Sequence, residues 1–348
     1  MSSLSNIAWK KFRKDALGVA GLLVISLTIF VSIFAYVLAP DGSPYANQMH
    51  LELATQKPGF TVQMIQFPKS DITEISFFER LLNGQPALHK EIPISDWNET
   101  GYQEFAEGLD LPWKVLPESN YSISEKTYYL GTDKYGRDLL SRLLIGARIS
   151  LAVGFISVFI SLIIGISLGA VAGYYRGKVD DIIMWFVNVV WSIPTLLMVI
   201  AISLALGKGF WQVFVAVGLT MWVEVARVVR GQVLSIREKE YVEAGKALGF
   251  HHFRIIFKHV LPNVMAAVIV ISAANFASAI LIEAGLSFLG IGAQPPMPSW
   301  GAMIKDHYSY IIMNKAYLAV APGLAIMFLV LAFVLVGNAL RDALDVRT

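Results

Sequence analysis

A chain with several uninterrupted apolar runs has few folds open to it once those runs reach the length of a membrane-crossing helix. In a bilayer every backbone N–H and C=O must be paired within the protein, and a core about 30 Å thick takes roughly 20 helical residues to cross. The run from Leu17 to Leu38 carries no charged residue. Ile149 to Ala172, Ile182 to Leu206, Val264 to Ile282 and Tyr317 to Ala339 read the same way. A less pure run, Phe210 to about Val229, holds Glu224 and Arg227 near its end. Together these predict an all-α polytopic membrane protein with six crossings. Composition agrees, at 55% hydrophobic and 16% charged residues with a mean hydropathy of +0.58.

Charge sets the expected topology. Lys10, Lys11, Arg13 and Lys14 precede the first run, which is longer than the core of a cleaved signal and so reads as a retained signal anchor. The inside-positive rule places residues 1–16 in the cytoplasm and residues 17–38 as the first helix. The stretch from Arg227 to Pro262 contributes seven Lys or Arg and is also cytoplasmic, and six crossings bring the C-terminus back to that side. Between the first two helices, residues 39–128 have soluble composition. Thirteen acidic and six basic residues fall within 40–130, a net of −7 in a chain whose total is +2. This segment is expected to be an extracytoplasmic α/β or irregular insertion, with Thr61 to Phe67 as a strand. Its acidity is either a solvated face or a contact surface. Residues 129–348 form the remaining core, with helices 2–6 and a cytoplasmic loop over 231–262.

Several chemistries are set aside. Cysteine is absent, and the six histidines make no metal-ligand spacing. No phosphate loop is present, because Gly207-Lys208 and Gly245-Lys246 lack both the earlier glycine and the following Ser or Thr. Basic residues flank apolar runs rather than interleaving with aromatics, so membrane lipid is expected as a partner and nucleic acid is not.

Within the spans, Gly165, Gly169 and Gly173 recur every fourth residue and clear one helix face for close packing. Pro194 removes an amide donor from the third run, giving either a structural kink or a cavity wall. Glu224 and Arg227 are three residues apart on one helix face, as an interfacial pair or as a proton-coupling site. Trp185, Trp191, Trp211 and Trp222 suit interfacial anchoring, and Trp191 equally suits a translocation path. Pro295, Pro296 and Pro298 break any helix in the loop from Gly290 to Gly301, and Trp300 is expected at the outer interface.

The most informative stretch runs from Glu240 to Asn263, EYVEAGKALGFHHFRIIFKHVLPN. Bulky apolar residues among bases predict an amphipathic helix, a turn, and a second helix leading to Pro262 and the next span. Glu243, Ala244, Gly245, Gly249, Leu261 and Pro262 resemble the cytoplasmic signature of the permease subunits of ABC importers for oligopeptides, dipeptides and nickel, in the branch of the C-type permease. Gly245 stands where that signature has alanine, and His259 where it has isoleucine. Leu130 to Ser150 resembles the family's entrance to its second helix, through Gly131, Thr132, Asp133, Gly136, Arg137 and Asp138. Residues 173–181, 223–239, 283–301 and 337–345 share the family character.

The resemblance implies the type I ABC importer permease fold in a cell inner membrane. It implies peptide import with a second homologous permease, two cytoplasmic ATP-binding subunits and an extracytoplasmic substrate-binding protein. ATP, with Mg, is then bound and the ATP hydrolysed by the partners, with no cofactor on this chain and no catalytic residue. Residues 243–249 are implied to be a coupling helix, and Pro194, Glu224, Arg227 and Glu283 are candidates for the gate or a subunit interface. An ion-coupled secondary transporter and a membrane-anchored interaction protein are the alternatives.

Overall fold

The computed structural model describes residues 4–69, 74–116, 121–207 and 209–344. The outermost residues of the expected N-terminal segment and core, Lys208, and positions 70–73 and 117–120 of the expected insertion lie outside them. The chain divides into two compact units. One comprises residues 1–27, 151–292 and 326–348, and the other residues 28–150 and 293–325.

Five described helices are long and apolar enough to cross a membrane: Ala16–Ile33, Leu139–Tyr175, Phe210–Ile236, His252–Phe288 and Tyr317–Leu344. A sixth candidate is the pair Gly177–Trp191 and Thr195–Leu206, bent by 88°. The fold is therefore a polytopic α-helical membrane fold with five to six spans. Pro194 explains the break, since it caps the second half without an amide to donate backwards. Ser192 Oγ donates to Val189 O at 2.7 Å, completing a carbonyl at the end of the first half. The bend is much larger than the kink read from the sequence.

In the first unit, helix Phe210–Ile236 runs past the Val229 end expected for it, so residues 231–236 are helical and not part of the loop. Its basic residues are compatible with helix because they find distant partners. Arg230 makes two bonds of 2.6 Å to Asp180, and Arg237 donates to Tyr174 O. The glycine ladder packs on this helix. A Cβ at Gly165 would lie 2.8 Å from Trp222 O, one at Gly169 2.5 Å from Ala226 O, and one at Gly173 2.9 Å from Arg230 O. Close backbone approach is the physical use of small residues in apolar helices. Gly18 and Gly21 serve likewise against the last helix, at Ala339 Cβ and Ala332 O. Trp222 is 5% exposed and buried in this packing, not placed as an interfacial anchor, whereas Trp185, Trp191 and Trp211 are exposed.

The second unit holds a five-stranded antiparallel sheet of order β4-β3-β2-β1-β5. The strands are β1 Phe60–Pro68, β2 His89–Trp97, β3 Gly101–Glu104, β4 Lys114–Val115 and β5 Ser122–Tyr128. Side chains alternate across a pleated strand. Val62 and Met64 join Leu53 and Tyr128 in one core, while Ile65 joins Ile94, Tyr102 and Leu116 in another. Glu91 is nearly buried between Lys126 at 2.6 Å and His50 at 3.7 Å. Burial alone pushes its carboxyl up, but these neighbours outweigh it and hold it down at about 2. At 3.7 Å the histidine lies beyond hydrogen-bond distance, and Lys126 Nζ at 2.6 Å and Gln66 Nε2 at 3.1 Å are the hydrogen-bonded partners.

Candidate functional site

The stretch after helix Phe210–Ile236 folds as a short helix Glu240–Ala247, a turn, and a helix that starts at His252 and continues to Phe288. Two acidic residues, Glu240 and Glu243, occupy the first turn, where the helix dipole favours them. Gly249 takes φ +73°, a conformation that costs any residue with a Cβ, and lets Phe250 N–H close back on Gly245 O at 3.0 Å. Pro262 lacks an amide, and the turn before it widens so that Leu261 N–H reaches Ile256 O. Asn263 Nδ2 then donates to His259 O at 2.7 Å.

One face of this element is fixed and the other is free. Val242, Ile255, Ile256 and Val260 are buried with Val229 and Val233 of the preceding helix and Tyr174 of the glycine-ladder helix. Tyr174 OH lies 2.9 Å from His252 Nδ1. Gly245 is buried, and a Cβ there would meet Phe250 at 3.5 Å, an ordinary contact that leaves room for alanine. Glu243, Ala244, Gly249 and Pro262 are exposed, and Leu261 is half-buried. Leu248 is 73% and Phe253 67% exposed, with Phe257 stacked on Phe253 at 4.9 Å. The result is an exposed apolar projection whose other face is packed on the helices it joins.

The second motif lies in the other unit. Gly131 and Gly136 have positive φ, and a Cβ on them would meet Gln56 O at 2.2 Å and His50 O at 1.6 Å. Asp133 is fully buried and accepts Tyr135 N–H at 2.8 Å, Arg137 N–H at 3.0 Å and Arg137 Nε at 2.7 Å. Thr132 donates to Leu53 O and accepts Gln56 N–H. Asp138 caps helix Leu139–Tyr175 through Ser141 N–H at 2.7 Å. Lys134 pairs with Asp306 at 3.0 Å and its amide points at His307 Nε2, while His307 Nδ1 donates to Met303 O at 2.7 Å. Burial lowers that histidine's affinity for a second proton. Trp300 is 4% exposed and donates to Leu143 O at 2.9 Å. It is a packed core residue, not the interfacial anchor expected, because its indole N–H has a partner inside the protein. These residues tie loop to helix.

The gate candidates separate. Glu283 is buried and accepts Ser287 Oγ at 2.7 Å. Glu224 and Arg227 do not pair. Arg227 donates to Asn188 Oδ1 at 2.6 Å and lies 3.9 Å over the Trp191 ring, beside Pro194 at the helix break. Their spacing allowed a mutual pair, but the aromatic face and the amide across the break took the guanidinium. The pairs Asp180–Arg230 and Arg176–Glu238 were not anticipated, since nothing local marks partners 50 and 62 residues apart. Among the described residues no group of three or more His, Asp or Glu side chains could hold a metal ion.

Comparison with known proteins agrees with this geometry. Residues 165–348 match the family described as binding-protein-dependent transport system inner membrane component, and residues 3–58 match the N-terminal transmembrane domain of oligopeptide transport permease C. The dipeptide transport system permease protein DppC of Lactococcus lactis subsp. cremoris is 31% identical over 344 residues, 98% of this chain and 90% of that protein. The glutathione transport system permease protein GsiD of Pectobacterium atrosepticum is 43% identical over 218 residues, 63% of this chain and 72% of that protein. Among solved structures, an inward-facing MetNI methionine ABC transporter aligns with a TM-score of 0.50 at 21% identity, covering 59% of this chain and 96% of the other.

Proposed function

The chain belongs to the inner-membrane permease family of binding-protein-dependent ABC importers, in its C-type branch, and from that premise we propose that it imports peptides. As a permease subunit it works with a partner permease and ATPases. In our reading the partners are a second, homologous permease, two cytoplasmic ATP-binding subunits and an extracytoplasmic substrate-binding protein. Dipeptides and oligopeptides are the cargo that the relatives' names support. The bent pair counts as one crossing, giving six. In our reading both termini are cytoplasmic and the acidic sheet is outside, which the basic residues beside the first helix and in the stretch from Arg227 to Pro262 support by the inside-positive rule.

The observation that carries this reading is the projection at Leu248 and Phe253. Its exposed apolar side chains suit a cleft on a partner, and its buried side chains weld it to helices Phe210–Ile236 and His252–Phe288. Closure of the ATPase pair would push on Glu243 to Gly249, and the packed helices would carry that displacement into the spans as a two-state switch. Residues 131–138 hold the outer start of helix Leu139–Tyr175 in place during the cycle.

The test uses the absence of native cysteine. Leu248→Cys gives one thiol on the projection, and a bifunctional maleimide applied to membranes should join this chain to an ATPase subunit. Crosslinking that depends on ATP state supports coupling. A Leu248→Cys chain that joins no ATPase, while a full transporter is recovered from the same membranes, overturns this placement.

A further inference from the structure

Glu224 stands well inside helix Phe210–Ile236, fourteen residues after its start and twelve before its end, the latter roughly 18 Å at about 1.5 Å per residue. Its side chain is exposed in this chain, and among the described residues no ion pair reaches it. The nearest cation on its own helix, Arg227, directs Nη2 to Asn188 and its guanidinium over Trp191, with its buried Nε left without a hydrogen-bond partner among the described residues. An ionised carboxylate left against hydrocarbon is costly, so this wall must face water, a partner or a bound cation.

The surroundings favour a bound cation. Glu224 lines a cavity of about 300 Å³, at the lower end of the roughly 300–1,000 Å³ of small-molecule sites. Trp191, Met198, Thr220 and Ser278 line it too. Thr220 Oγ1 already donates to Val217 O at 2.8 Å, so it offers only lone pairs to the cavity. Trp191, Ile193 and Thr195 at the chain break line this cavity, and irregular backbone at membrane depth persists where it lines a cavity or is buried in protein. An anion, a hydroxyl acceptor and an apolar aromatic wall therefore converge at a helix break. A protonated amine, with three donors and one charge, complements that set.

We propose that this cavity is a subsite of the transport path in which Glu224 is the counter-ion for the protonated amino terminus of the cargo, with Thr220 and Ser278 as acceptors and Trp191 as the apolar wall. The inference rests on the peptide-permease reading and adds to it a preference for cargo with a free amino group. Glu224 acts as a specificity-determining residue: it slows passage of uncharged solutes by offering them an unmatched carboxylate, and it passes amines from the outer to the inner mouth.

The test uses the whole transporter, with its second permease, ATPases and binding protein, reconstituted in proteoliposomes with ATP. The probe is a mixture of di- to pentaalanine, read by mass spectrometry of the vesicle contents. Loss of one charge-assisted hydrogen bond predicts that Glu224→Gln lowers accumulation of these peptides about tenfold. Glu224→Asp restores most of it, and both variants copurify with the partners at the wild-type ratio. Uptake by Glu224→Gln equal to wild type overturns the subsite. So does loss of the second permease from Glu224→Gln, which would make Glu224 an interface charge. Wild-type vesicles that take up none of these peptides overturn the functional reading itself, a result distinct from both.

Discussion

Gly169→Ala tests the packing of helix Leu139–Tyr175 against helix Phe210–Ile236. A methyl there would sit 2.5 Å from Ala226 O, 3.1 Å from Ala226 Cα and 2.9 Å from Val229 Cβ. Two of those atoms are backbone, so no side chain can rotate away and the helices Leu139–Tyr175 and Phe210–Ile236 must part by roughly 1 Å to restore ordinary contact. Overpacking of this kind costs about 1–3 kcal/mol, and alanine returns at most about 1 kcal/mol over glycine in a helix interior. With the full alanine gain the net is a destabilisation of up to about 2 kcal/mol. Gly231→Ala is the matched control on the facing helix, because nothing lies within 4 Å of the Cβ it would add. That change should be neutral or slightly stabilising. The assay is titration of the purified chain from a mild micelle into sodium dodecyl sulfate, following helix content by circular dichroism. Gly169→Ala should unfold at lower detergent fraction than wild type, and Gly231→Ala at the same fraction or higher. Equal midpoints for the two variants would refute the close-approach argument.

Gly249→Ala should weaken recovery of ATPase subunits with this chain severalfold, while Gly249→Asn, which tolerates positive φ, should keep most of it; Gly249→Trp adds bulk in open space and should fall with alanine or below, as read by quantitative pull-down. Glu91 is held below its ordinary 4.5, so its pairing stabilises the sheet above about pH 4.5 and that contribution, up to about 3 kcal/mol, disappears as pH falls toward 2. Hydrogen exchange of the β1, β2 and β5 amides should show this loss in wild type and a flatter profile in Glu91→Gln. Lys90→Cys, on an exposed position of β2, should react with a membrane-impermeant maleimide without permeabilising the inner membrane; labelling only after permeabilisation would contradict the external placement of the sheet.

The spans were legible because a bilayer imposes a length and a polarity that no soluble context shares, and the four-residue glycine spacing named a packing face directly. The helix, turn and helix from Glu240 onward were legible from their punctuation: acidic first turn, Gly249, then Pro262. Other features depended on partners far along the chain. Helix Phe210–Ile236 outran its apolar stretch because Arg230 meets Asp180 and Arg237 meets Tyr174 O. Glu224 was read as one half of a pair with Arg227, and Trp191 with Asn188 proved the stronger destination. Trp300 looked interfacial by type and is buried by its hydrogen bond to Leu143 O. The sheet was visible only at Thr61 to Phe67. The strand β1 is covered on both faces, and its neighbours are set by register across turns, which local alternation does not encode.

The central claim is that this chain transmits force from cytoplasmic ATPases to a peptide path through Glu243 to Gly249. The most direct measurement is a mild-detergent pull-down of the chain from its native membrane, with identification of the retained subunits and an ATPase assay on the complex. Recovery of a second permease and ATP-binding subunits, with hydrolysis stimulated by the binding protein and lost in Gly249→Trp, is the predicted result. A chain that purifies alone and moves solutes without ATP would contradict it.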